Sequence, residues 1–148
     1  MKNTFEEAYQ QELKIRADYD AAEAAGSEEG KEAARTAIHK LWDGIEAQGA
    51  ACRRIYREYT NSRDKGNEYL DLHDVIWDRD VESLITCMRE NGIERFTFSS
   101  GWSSAVETAW LFQENGCKLE GLIQINGDED IWNDGQYKKA PAYLFSIC

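Results

Sequence analysis

Glu90-Asn91-Gly92-Ile93-Glu94-Arg95-Phe96-Thr97-Phe98 decides the fold, because its opening tripeptide recurs as Glu114-Asn115-Gly116 before a second apolar run ending at Ile125. Each copy follows a stretch of helical periodicity. Val81, Leu84, Ile85 and Met88 precede the first, and Val106, Ala109, Trp110 and Phe112 precede the second. Glycine readily takes the left-handed conformation that closes a helix, and asparagine tolerates it. Each copy therefore reads as a helix ending and a strand beginning. Two such units in a row predict a crossover connection and two parallel strands.

Working outward, the sequence predicts a helix from Asp78 to Asn91, a strand from Arg95 to Ser99 and a helix from Trp102 to Asn115. Strands over Leu119 to Ile125 and Ala142 to Ile147 follow, joined antiparallel across the acidic stretch Asn126 to Gln136. Tyr69 to Trp77 leads into the first of these helices. Residues 4 to 59 are helical in pattern, with Thr4 as N-cap and Phe5, Tyr9, Leu13 and Ala17 on one face. Gly26-Ser27 breaks this run, and Ser27 caps a second helix. In that helix Ile38, Ile45, Cys52 and Tyr59 recur every seven residues, a seam suited to pairing within the chain or between two chains. The polar segment Asn61 to Asn67 reads as a hinge. The expected fold is α+β. A helical hairpin over residues 1–66 precedes an acidic αβαββ domain over residues 67–148 with a small mixed three-stranded sheet.

Charge carries the strongest functional hint. The chain of 148 residues has a formal net charge of −11. Residues 1–66 hold 13 acidic and 11 basic side chains, whereas residues 67–148 hold 15 and 6. Such a surface repels phosphate backbones, so direct nucleic-acid binding is not expected unless a local basic patch provides it. Spread carboxylates can instead imitate a phosphate backbone and enter a basic channel on a protein. Asp74, Asp78, Asp80 and Glu82, with Asp128, Asp130 and Trp132 of the acidic loop, are the expected partner-binding residues. The basic cluster Arg53, Arg54, Arg57, Arg63 and Lys65 is a competing partner for them within the fold.

No stretch approaches a membrane span or a signal peptide, so a cytoplasmic protein without a membrane partner is expected. Cys52, Cys87, Cys117 and Cys148 show no C-x-x-C pairing and read as reduced thiols. His39 and His73 lack a companion at metal-ligand spacing. Asp128, Asp130 and Trp132 do not supply the calcium-loop pattern. No cofactor, no metal and no catalytic set is therefore expected. Ser99-Ser100-Gly101-Trp102-Ser103-Ser104 joins a strand to a helix and gathers hydroxyls and N–H groups there. Ser99, Ser100, Gly101, Ser103 and Ser104 thus form an alternative, anion-binding site, although serines also serve as plain helix caps. Trp77, Trp102 and Trp110 read as core or lid residues, and Trp132 as exposed.

The run from Asp74 to Asp78, the run from Phe96 to Phe112, and Asn115-Gly116-Cys117 with Leu119-Glu120-Gly121 carry a resemblance. Over roughly residues 68–148 the chain resembles a family of small uncharacterised acidic proteins carried on mobile elements and phages of Gram-positive bacteria. The resemblance implies no activity or functional residue. It implies a setting in which small acidic proteins often inhibit host defence, anti-CRISPR proteins among them. Together with the charge, this leads to the expectation of a non-enzymatic interaction module that inhibits a nucleic-acid-handling protein such as a CRISPR nuclease. A homodimer through the helical seam is expected beside it.

Overall fold

The computed structural model describes residues 2–73 and 76–147. Three helices come first: α1 (Thr4–Ala24), α2 (Glu28–Glu46) and α3 (Ala50–Asp64). There follow β1 (Leu70–His73), α4 (Asp78–Glu90), β2 (Arg95–Ser99), α5 (Ala105–Glu114), β3 (Cys117–Glu129) and β4 (Tyr137–Ile147). Asn3 rather than Thr4 caps α1, its side-chain oxygen accepting the Glu6 N–H, and Ser27 caps α2 through the Gly30 N–H.

The predicted second helix is two helices. Gly49, at φ +116°, takes a conformation closed to other residues and turns the chain between α2 and α3. The seven-residue seam therefore does not run continuously. Ile45, Cys52 and Tyr59 are buried in the chain's own core, while Ile38 is half-buried.

The sheet has four strands, not three, in the order β1-β2-β4-β3. The added strand is β1, which lies parallel to β2 with Leu70 opposite Phe96 and Leu72 opposite Phe98. β4 is antiparallel to both β2 and β3. The two strands that follow Gly92 and Gly116 thus point the same way, but β4 separates them. The cause is chemical: β4 offers Tyr143 and Phe145 opposite Phe98 and Phe96 on one side, and opposite Leu122 and Leu119 on the other. A hydrogen-bonded central strand that extends the aromatic face satisfies both neighbours at once.

Phe96, Phe98, Leu70 and Leu72 point from the sheet toward α4 and α5, and Phe112 of α5 packs on them. One hydrophobic cluster joins these residues to Phe5, Tyr9, Ile55 and Tyr59 of the N-terminal helices. Asn67 is buried, and its amide exchanges two hydrogen bonds with the Asn126 backbone, at 2.9 and 2.8 Å. The stretch read as a hinge is accordingly α3 up to Asp64, followed by a pinned turn.

Cys52 and Cys87, expected as free thiols, form a disulfide between α3 and α4 with Cα atoms 5.6 Å apart. Their 35-residue separation conceals the pairing in sequence; helix packing creates it. Cys117 is buried, and Cys148 lies outside the described residues.

Gly92 fixes the N-terminus. Its φ is +77°, and a Cβ there would lie 2.2 Å from the Lys2 carbonyl oxygen. Beside it the Thr4 N–H donates to the Asn91 carbonyl at 2.9 Å. Gly92→Ala is expected to lower stability by at least ~1–2 kcal/mol from the left-handed backbone alone. The clash adds to that, and thermal melting reads the sum as a lower midpoint.

Candidate functional site

Strand direction assembles the site. β1, β2 and β3 all point one way, so their carboxyl ends lie at one end of the sheet. The connections leaving that end are the approach to α4, the turn into α5 and the turn between β3 and β4. In open sheets built from parallel strands, ligands favour this end.

Three tryptophans stand there. Trp77 precedes α4 and is 58% exposed, Trp102 precedes α5 and is 59% exposed, and Trp132 of the β3–β4 turn is 85% exposed. Ile131 beside Trp132 is exposed as well. Trp77 and Trp102, read from sequence as core or lid residues, are surface residues, and so is Trp110 at 60%. Burying a large side chain is worth roughly 1.5–3 kcal/mol, so leaving these rings in water forgoes a substantial gain. Arg79 lies 5.6 Å from the Trp77 ring centroid, a cation–π contact.

The expected acidic residues share this end. Asp78 and Asp80 lie in the first turn of α4, where the helix dipole favours negative charge, and Glu82 follows them exposed. Asp128 sits near the end of β3. Asp130 accepts the Trp132 N–H at 3.0 Å and the Asn133 amide at 3.1 Å, and these bonds hold its carboxyl below the usual range. Asp74 lies outside the described residues. The basic cluster divides: Arg63 pairs with Glu6 and Arg53 with Glu46, away from this end, whereas Lys65 lines the cleft at this end beside Asp71 and Asp128.

Between these loops opens a cleft of about 390 Å³. Its floor is a polar group that the sequence reading missed. Asp71 is buried; its carboxylate accepts the Thr97 and Ser99 hydroxyls at 2.7 Å each. His73 Nδ1 lies 3.4 Å from Glu58 and 3.7 Å from Asp71. The signal was present in Leu70-Asp71-Leu72-His73, whose alternation places Asp71 and His73 on one strand face.

The hydroxyls of the serine turn go to different partners. Ser99 donates to Asp71, Ser100 accepts the Trp102 N–H at 3.1 Å, Ser103 is exposed, and Ser104 caps α5 without a side-chain bond. Gly101 lines the cleft with Asp71 and Asp128, two carboxylates against the single ammonium of Lys65. Among the described residues no group of three or more His, Cys, Asp or Glu is arranged to hold a metal, and no helix is long and apolar enough to cross a membrane.

The geometry defines a class: a small α+β protein whose sheet ends in an acidic rim set with exposed tryptophans. The chain belongs to the family described as a domain of unknown function, DUF7698, whose model matches residues 54–147. That span begins inside α3 and takes in the whole sheet and both of its crossover helices. No curated protein and no solved structure matches the chain.

Proposed function

We propose that the protein is a non-enzymatic interaction module that docks through the carboxyl end of its sheet onto a basic protein surface. The observation that carries this reading is the gathering of Trp77, Trp102 and Trp132 among Asp78, Asp80, Asp128 and Asp130. Exposed aromatic anchors are typical of binding hot spots, and surrounding charge sets specificity and encounter rate. The partner is defined by complementarity: apolar pockets to take the indoles, ringed by lysine and arginine. Proteins that handle nucleic acid present such surfaces, so an inhibitor acting on one of them, a CRISPR nuclease included, is the role we assign.

The test is retention of purified candidate nucleases on the immobilised protein at low and high salt. Trp102→Ala with Trp132→Ala is expected to weaken binding by at least about 100-fold, since hot-spot truncations cost about 2 kcal/mol or more each. Asp78→Asn with Asp80→Asn is expected to slow association and flatten the salt dependence. Undiminished binding by both variants would remove the reading.

A further inference from the structure

A second cleft, of about 400 Å³, lies between α1, α2 and α3, on elements that take no part in the sheet. Trp42, Ile45 and Tyr56 wall it. Its construction begins with Glu12, a carboxylate only 4% exposed. Glu12 accepts the Trp42 indole N–H at 2.8 Å and the Tyr56 hydroxyl at 3.3 Å, and Arg16 pairs with it. A buried charge persists only when its neighbours satisfy it, and here the satisfaction is complete. The consequence falls on Trp42. Its ring edge is tied to the interior, while 45% of the residue remains open. The indole, with His39 packed against it at 5.7 Å, is held in place at the wall of an unfilled space.

Cations line the same cleft. Arg53 and Arg57 line the cleft with side chains 66% and 70% exposed. Arg53 contacts Glu46 at 3.1 Å, and Arg57 reaches Glu58 only at 3.7 Å. Arg16, the third guanidinium of the cleft, is committed to Glu12 and, at 3.0 Å, to Asp64, so Arg53 and Arg57 are the cations with the most exposed side chains there. Guanidinium groups stack on rings and bind carboxylate or phosphate in a fork. Ligand sites between helices are mostly apolar with a few convergent polar groups, and a few hundred Å³ suits one small molecule.

We propose that this cleft binds a planar aromatic anion, the ring stacking on Trp42 and the phosphate or carboxylate meeting Arg53 and Arg57. The site is separate from the docking end of the sheet. Calorimetric titration of the full chain with adenosine monophosphate and with 2-naphthoate tests it, with adenosine and inorganic phosphate as the ring-only and anion-only arms. At least one of the two aromatic anions is expected to bind tighter than about 1 mM. Which of the two binds tells phosphate from carboxylate preference, and both half-ligands are expected to bind at least tenfold more weakly. Arg53→Ala with Arg57→Ala, both on exposed side chains, is expected to weaken binding tenfold or more at an unchanged melting midpoint. Trp42→Phe keeps a ring and is expected to retain part of the affinity and to remove the ligand-induced change in tryptophan fluorescence. Arg54→Ala, outside the cleft, is expected to bind as the parent does. If neither aromatic anion binds the parent protein, or if the double arginine variant binds equally well, the proposal is overturned.

Discussion

Replacing Phe112 by alanine is expected to destabilise the protein by ~3–5 kcal/mol, the cost of emptying an aromatic site in a packed core. Phe112 is fully buried, and its ring centroid lies 5.0 Å from Phe96, 5.6 Å from Phe98 and 5.3 Å from Phe145. Through it α5 meets two neighbouring strands, β2 and β4, at their aromatic centre. Such a loss is a large part of a typical stability of about 5–15 kcal/mol. Urea unfolding measures it as a lower midpoint with the slope retained. Val106→Ala on the same helix serves as reference, because Val106 is exposed and such changes stay within about 0.5 kcal/mol. Equal effects from the two substitutions would mean that α5 does not pack on the sheet as described.

The second large effect is redox. Converting Cys52 and Cys87 to serine, or reducing their bond, is expected to cost roughly 2–4 kcal/mol, mainly by freeing the unfolded chain. The bond closes a loop of 35 residues in sequence separation, which spans the α3–β1 turn and most of α4. A reductant should therefore lower the melting midpoint of the parent protein and leave that of the double serine variant unmoved. Thiol titration under denaturing, non-reducing conditions should find two fewer reactive thiols than after reduction. A melting midpoint indifferent to reductant would count against the bond.

Much of the second half was legible from local chemistry. The apolar spacing of Val81, Leu84, Ile85 and Met88 and the glycine after Asn91 placed α4 and β2 with bounds within a residue. What failed was non-local. β1 is four residues long, and Leu70-Asp71-Leu72-His73 buries a carboxylate because Thr97 and Ser99 of another strand satisfy it. The break at Gly49 was hidden because the seven-residue spacing continues across it in register. The position of β4 between β2 and β3 depends on which aromatic faces meet, and no window of sequence records that.

The candidate site divides in the same way. The acidic residues, the exposed Trp132 and the serine turn stood out as residue types. Their gathering at one end did not, because it follows from three strands sharing a direction. The exposure of Trp77, Trp102 and Trp110 was missed for a simple reason: hydrophobicity alone places such rings inside.

The sheet order has a consequence for how the protein is made. β2 and β3 cannot bond to each other, so the sheet exists as two disconnected pieces until β4 enters between them. On the ribosome, α5 and the aromatic face of β2 must wait without their Phe145 partner while β3 emerges and its hairpin turns back. A chain interrupted before Tyr137 would keep Phe96 and Phe112 only partly covered and the edge of β2 open. Such fragments expose apolar surface and an unpaired strand edge, the features that make incomplete chains prone to aggregation and proteolysis.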